Sequence, residues 1–189
     1  FVSRLMELTG RDVGAEAFRS INKRIAGLST VRPKAYFAVG GDALLGNSRE
    51  RMSILNMEMD ADDCELVQSG YVYLGMVSRI MLEDLNNHCG DAAPYFAGGA
   101  VTKDEVFMTY KASILGREIL VLDTDEISAL GAALAAAVAA GDEALLSSFS
   151  SSSLVRRSFV PDRRISSGLS GVYEEYRRIM EYGSSDLFQ

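Results

Sequence analysis

Two adjacent glycines, Gly98 and Gly99, lie in the segment YFAGGAVTKDE, between a short apolar pair and a polar stretch typical of a helix start. Backbone amides at such a turn can bind phosphate, because a helix N-terminus carries partial positive charge. The segment lacks the third glycine of the dinucleotide-binding fingerprint and the Gly-Lys-Ser/Thr ending of a phosphate-binding loop. Taken alone, the pair is better explained by backbone geometry, since glycines at strand ends allow positive φ angles or close packing of the backbone.

The residues that follow restrict what this turn could bind. Asp104 and Glu105 fall in the first turn of the expected helix, where two carboxylates would oppose a triphosphate. A nucleotide at this turn would therefore present its ribose, adenine or α-phosphate. Thr102 and Glu105 have the spacing of a capping box, which would engage both side chains in closing the helix. The glycine backbone and Asp104, more than Lys103, are then expected to meet a ligand.

No other residue pattern indicates catalysis or metal binding. Four aspartates are better explained as turn or capping residues: Asp42, Asp91, Asp123 and Asp125. His88 lies at a helix end, where dipole compensation or simple exposure is the expected role. Cys64 and Cys89 lack metal-ligand spacing and are expected to be reduced. The sequence therefore predicts neither a catalytic base nor a metal site.

Hydrophobic periodicity predicts the elements that position the turn. Helices are expected over residues 12–28, 64–87, from Thr102 to a left-handed cap at Gly116, over 127–141 and over 171–183. Strands are expected over 34–41, 95–96 and 117–123, with loop and a short strand over 42–59. Aspartates 62 and 63 can cap the 64–87 helix, and Asp123 with Glu126 forms a box-like start for the next.

Two further segments have unusual compositions. The 127–141 helix has nearly all small side chains, so we expect it to pack closely against the sheet or another helix. The serine-rich region over 147–170 is expected to be an exposed, mobile loop.

Composition excludes several classes of protein. The chain has 189 residues, of which 48% are hydrophobic and 24% charged, as in one soluble globular domain. A net charge of -7 argues against nucleic acid or an anionic membrane as a partner. No apolar stretch reaches the ~20 residues of a membrane span, and no signal peptide is recognisable, so a cytoplasmic location is expected. The start at Phe1, without methionine, favours a fragment of a longer protein.

The stretch from Gly98 to Gly141 closely resembles the adenosine-binding region of the FGGY carbohydrate kinases, a family that includes glycerol kinase, xylulokinase and gluconokinase. In that family a Gly-Gly-Gly/Ala turn opens a helix ending in Leu-Gly, followed by a strand, a Glu and an Ala-Leu-Gly-Ala-Ala helix. The matching residues here are Gly98–Ala100, Leu115, Gly116, Glu126 and Ala129–Ala133. Weaker similarity extends the resemblance to about residues 34–182.

The resemblance implies an α/β fold of the actin-like, ribonuclease H-like ATPase class, helix-rich, with a mixed sheet flanked by helices. It implies that residues 1–189 form a single nucleotide-binding domain, the C-terminal one of two. By this likeness Gly98, Gly99 and Ala100 contact the nucleotide, and Asp104 lies near the adenine. Further positions implied are Gly41 and Asp42, in the region of a family Gly-Glu-Arg loop, and Thr109, which matches a helix glutamine.

The implied activity is transfer of the γ-phosphate of ATP, with Mg²⁺, to a sugar or polyol. In the family the catalytic base lies in the first domain, so this chain alone is expected to be inactive. A second hypothesis is a degenerate actin-like domain acting as a non-catalytic interaction or regulatory module, since Asp104 and Thr109 replace family side chains. A Rossmann-type oxidoreductase is disfavoured by the missing third glycine. The sequence leaves the oligomeric state, monomer or homodimer, open.

Overall fold

The computed structural model describes residues 1–10, 12–40, 51–91, 94–124, 126–142, 144 and 155–185. The helices are α1 (Val2–Leu8), α2 (Ala15–Ala26), α3 (Asp63–Cys89), α4 (Glu105–Leu115), α5 (Ile127–Ala139), α6 (Arg163–Gly168) and α7 (Val172–Ser185). The strands are β1 (Tyr36–Gly40), β2 (Arg51–Leu55), β3 (Tyr95–Ala97), β4 (Ile119–Leu122) and β5 (Val155–Phe159), and a 3₁₀-helix covers Ala100–Lys103. None of the described helices combines the length and apolarity needed to cross a membrane.

The long helix α3 lies at the centre of the hydrophobic core. Asp62 caps it as predicted, accepting from the Glu65 amide at 2.8 Å while the Glu65 carboxylate accepts from the Asp62 amide at 3.0 Å. Its first half is buried and packs against α1, α2, α4, α7 and β1. Two buried polar residues of α3 hold the chain entering β1: the Gln68 amide donates to the Val31 carbonyl, and the Ser69 hydroxyl accepts from the Lys34 amide. The core thus forms around α3 and positions α4.

The strands form two small sheets. β1 and β2 pair antiparallel, with Tyr36 opposite Leu55 and Gly40 opposite Arg51. In the other sheet β4 lies between β3, which is parallel to it, and β5, which is antiparallel. Because β3 and β4 are parallel, their carboxyl ends lie at the same edge of the sheet. The glycine turn after β3 and the segment that leads from β4 into α5 therefore start next to each other.

The predicted loop over residues 147–170 is wrong in its second half. Residues Val155–Phe159 form β5, and Arg163–Gly168 form α6, which Asp162 caps by accepting from the Arg164 and Ile165 amides. The serine-rich composition stops before Val155, whereas VRRSF alternates half-buried and exposed side chains as an edge strand does. Residues 147–154 lie outside the described part of the chain.

Helix α5 forms where the sequence predicts it but does not pack as expected. None of its described side chains is fully buried, and its N-cap residue, Glu126, makes no capping side-chain bond. The Asp123 and Glu126 box is therefore absent; the Glu126 amide instead donates to Thr124 Oγ1 at 3.1 Å. An alanine-rich helix needs less packing because alanine has the highest intrinsic helix propensity.

The start of α5 nevertheless touches the end of β3. A Cβ atom placed on Gly98 would lie 1.8 Å from Ile127 Cδ1 and 2.6 Å from its Cγ1. Only a residue without a side chain can occupy position 98 while Ile127 keeps this rotamer, because real carbon contacts are about 3.5 Å or longer. This packing contact sets the distance between the glycine turn and α5.

Replacing Gly98 with alanine should therefore destabilise the protein by roughly 1–3 kcal/mol, as overpacking does. In the Gly98→Ala/Ile127→Ala double variant the obstructing side chain is truncated, so part of the lost stability should be recovered. Urea unfolding of the unmodified protein, the two single variants and the double variant would measure this coupling. The matched control is Gly131→Ala in α5, where a Cβ atom meets nothing within 4 Å. The higher helix propensity of alanine should raise the free energy of unfolding of this variant by about 0.5–1 kcal/mol. Additive effects of the Gly98 and Ile127 changes would contradict the contact.

One charged side chain lies in an apolar environment. Lys111 of α4 lines a groove of about 460 Å³ together with α3 side chains such as Met81 and Leu85, and with β3. Burial lowers the pKa of Lys111 below its usual value, and no ion pair with a described residue offsets this desolvation. The folded state thus holds the charged ammonium less favourably than water does.

Lys111→Met should raise the free energy of unfolding at pH 7 by on the order of 1 kcal/mol, by removing this desolvation. Because the pKa of Lys111 is lower in the folded state, the unfolded state binds more protons at pH values between the lowered pKa and the unfolded value of about 10.4. The unmodified protein therefore gains stability as the pH rises through this range. The difference between variant and unmodified protein should therefore shrink between pH 7 and pH 10 in urea unfolding. Lys23→Met, at an exposed site, is the control; a Lys111→Met variant less stable than the unmodified protein at pH 7 would refute the interpretation.

Candidate functional site

The glycine turn joins β3 to the 3₁₀-helix at the carboxyl edge of the mixed sheet. Gly99 has φ 81° and ψ -177°, a conformation that only glycine adopts without strain. A Cβ atom at Gly99 would meet nothing within 4 Å, so the turn faces open space on this side. The Gly99 amide has no acceptor among the described residues, whereas its carbonyl accepts from the Thr102 amide at 3.1 Å and the Thr102 hydroxyl at 2.8 Å. Hydrogen bonds to the Gly99 carbonyl thus hold the turn, while the Cβ side of Gly99 faces open space.

The helix after the turn starts differently from the prediction. Thr102 and Glu105 do not form a capping box, because the 3₁₀-helix at Ala100–Lys103 is inserted before α4. Asp104 is the N-cap instead, and its Oδ1 accepts from the Phe107 amide at 2.9 Å. Glu105 turns away and accepts from Arg157 Nη1 at 2.6 Å. The spacing of Thr102 and Glu105 matched the motif, but the helix begins two residues later than the motif requires, with Asp104 instead of Thr102 as the N-cap.

Asp104 also joins two other helices to this start. Its Oδ1 accepts from Asn22 Nδ2 of α2 at 3.0 Å, and its Oδ2 accepts from the Tyr71 hydroxyl of α3 at 2.5 Å. The Tyr71 hydroxyl lies 2.8 Å from Asn22 Oδ1 as well. Tyr71 is 1% exposed; burial, and next the bond to Asp104, raise the pKa of its hydroxyl, so it remains a donor. The carboxylate of Asp104 thus already accepts three hydrogen bonds, and its predicted contact with adenine stays a prediction.

The mixed sheet supports the turn from the other side. Arg157 of β5 donates through Nη2 to the carbonyl of Thr102, and its guanidinium lies 4.9 Å from the Phe159 ring centroid. With the bond to Glu105, this cation fixes the 3₁₀-helix and the first residue of α4. Arg157, Asn22 and Tyr71 were not found from the sequence, because nothing local marks contacts between residues 33 to 82 positions apart.

The remaining predicted site residues have other surroundings. Thr109 lies on α4 beyond the turn, and its hydroxyl donates to the Glu105 carbonyl at 2.8 Å. One turn further along α4, the Ser113 hydroxyl holds the chain before α6 by accepting from the Asp162 amide at 2.9 Å. Gly41 and Asp42 lie outside the described residues, directly after β1.

No cluster of three or more metal-binding side chains occurs among the described residues. The two cysteines are free; Cys64 is buried and Cys89 is exposed. His88 is exposed in the last turn of α3, where its Nδ1 lies 2.8 Å from the Asp84 carbonyl. Asp91 binds Arg117 at 2.5 Å. The structure thus places Gly98, Gly99, Ala100 and Asp104 in one segment at the sheet edge, and the Gly99 amide is a backbone donor without an acceptor among the described residues.

Comparisons with known proteins agree on one family. The sequence profile of the FGGY family of carbohydrate kinases, C-terminal domain, matches residues 29–140. Among curated proteins, a ribulokinase of Shouchella clausii is 33% identical over 104 residues, which are 50% of this chain and 18% of that protein.

Solved structures give the same fold. A xylulose kinase from Rhodospirillum rubrum superposes with a TM-score of 0.74 at 16% identity, over 97% of this chain and 37% of that one. Plasmodium falciparum glycerol kinase with ADP superposes with a TM-score of 0.60 at 17% identity, over 86% of this chain and 33% of that one. At such identities the likeness shows the fold, which is the actin-like ATPase fold expected from the sequence.

The profile match covers more than half of the chain and contains β3, the glycine turn, α4, β4 and α5, the elements that build the site. The match, the curated relative and the fold agree with one another, and the resemblance seen in the sequence is confirmed. The chain therefore belongs to the FGGY family of carbohydrate kinases, in which it corresponds to the C-terminal domain.

Proposed function

We propose that this chain is the nucleotide-binding half of an ATP-dependent kinase that phosphorylates a sugar or polyol. The observation that supports this most is Gly99: it has a glycine-only conformation, an amide without an acceptor among the described residues, and open space where a side chain would lie. A turn of this kind lets a ligand approach the backbone closely. Gly98, Gly99 and Ala100 would contact the nucleotide, and the similar structure of Plasmodium falciparum glycerol kinase with ADP supports an adenine nucleotide as the ligand class.

The described carboxylates determine how the nucleotide would lie. Asp104 and Glu105 at the start of α4 repel a polyphosphate at that helix end, so the phosphates would extend away from α4 while the ribose and adenine lie against the turn. Mg²⁺ would arrive with the phosphates, since the described residues hold no acidic cluster for it. Thr109, and Gly41 with Asp42, are further proposed contacts.

The chain spans about a third of the solved kinases it superposes on, so the activity of the whole protein is part of this proposal. Phosphoryl transfer needs an aspartate base and a sugar site, and no described residue near the turn supplies either. We therefore expect this domain to bind nucleotide but not to transfer phosphate by itself, and we place the protein in the cytoplasm. The kinase relatives do not favour the alternative of a non-catalytic interaction module.

Gly99→Ala should weaken ADP binding at least tenfold, which corresponds to about 1.4 kcal/mol, because alanine shifts the backbone out of this conformation. The matched control is Gly171→Ala between α6 and α7, where φ is 85° and a Cβ likewise meets nothing within 4 Å. The Gly171→Ala variant should lose about as much stability as the Gly99→Ala variant but should bind ADP with unchanged affinity. Calorimetric titration of the folded proteins measures both.

Two results would contradict the proposal. One is equal ADP affinity of the Gly99→Ala variant and the unmodified protein. The other is an unmodified, folded protein that gives neither heat nor a thermal shift with millimolar ADP.

A further inference from the structure

We propose that Asn22 and Tyr71 are positioning residues for nucleotide binding, because they hold Asp104 and thereby fix where the glycine turn enters α4. This inference rests on the proposed nucleotide site and adds residues of α2 and α3 to it. Both residues contact Asp104 directly, at 3.0 Å and 2.5 Å.

The burial of Tyr71 makes this contact rigid. Its ring packs against Phe107 of α4 at a centroid distance of 5.4 Å and against Tyr110 at 6.5 Å, so the hydroxyl has little freedom to turn elsewhere. The acceptor is a carboxylate, and hydrogen bonds to charged groups are about twice as strong as neutral ones. A buried phenol that donates to a half-buried carboxylate therefore holds that carboxylate in one place.

The position of Asp104 determines the turn, because the two are five residues apart along a continuous hydrogen-bonded segment. The Asp104 amide donates to the Val101 carbonyl, and the Thr102 amide and hydroxyl donate to the Gly99 carbonyl. Gly99 has no side chain to hold it, and the space around its Cβ position is empty. Its conformation thus depends on the anchoring of the residues that follow it.

A matched pair of tyrosines on facing helices allows a sharp test. Tyr71 and Tyr110 are each 1% exposed, but the Tyr110 hydroxyl lies beside Gln68 and makes no hydrogen bond with Asp104 or Asn22. Tyr71→Phe removes a hydroxyl that binds Asp104, whereas Tyr110→Phe removes one that does not. Asn22→Ala removes the second contact with Asp104, together with the contact between Asn22 Oδ1 and the Tyr71 hydroxyl.

Hydrogen exchange in the absence of nucleotide measures the positioning itself. In Tyr71→Phe and in Asn22→Ala, the amides of residues 99–107 should exchange about tenfold faster, as expected for one lost bond to a charged group, with other amides unchanged. Tyr110→Phe should leave residues 99–107 as they are. Faster exchange throughout the protein would show a purely structural role, and unchanged exchange at residues 99–107 would show no anchoring; either overturns the inference.

Titration with ADP measures the consequence. Tyr71→Phe and Asn22→Ala should weaken ADP binding about threefold to tenfold, while Tyr110→Phe keeps it. Faster local exchange with unchanged ADP affinity would overturn the link to nucleotide binding. An unmodified protein that does not bind ADP would contradict the proposed function instead, and the exchange experiment would still decide whether Asn22 and Tyr71 anchor the turn.

Discussion

The carboxylate of Asp104 is the interaction on which the site depends, because it joins three helices at one point. It caps α4, accepts from Asn22 of α2 and accepts from Tyr71 of α3. A carboxylate at a helix N-terminus is favoured by the helix dipole, and two further donors compensate the cost of partial burial. The core around α3 is thereby connected to the end of β3, so that packing far from the turn determines its geometry.

The glycine turn is held on its sheet side as well. Gly98 lies against Ile127 of α5, and Arg157 of β5 donates to the Thr102 carbonyl. The Gly99 amide has no acceptor among the described residues, and the Cβ position of Gly99 faces open space. A backbone donor held rigidly by its surroundings binds a ligand without a further ordering cost. In the proposed site, the nucleotide would therefore be bound mainly by the backbone of the turn.

Periodicity and composition were sufficient to predict α2, α3, α4, α5 and α7 and strands β1, β3 and β4, and the spacing from Gly98 to Ala133 indicated the family. Local motifs were less reliable. The Thr102 and Glu105 spacing predicted a capping box that a 3₁₀-helix displaces, and the serine-rich composition concealed β5. The network of Asn22, Tyr71 and Asp104 could not be predicted, since it depends on tertiary packing between segments that are distant in sequence.

An NMR titration with ADP would show whether the glycine backbone binds the nucleotide. If it does, the amide resonances of Gly98, Gly99 and Ala100 should shift together and saturate with one dissociation constant, while the resonance of Gly171 stays in place. Shifts confined to other regions, such as the groove lined by Lys111, with unchanged resonances at the turn, would contradict it.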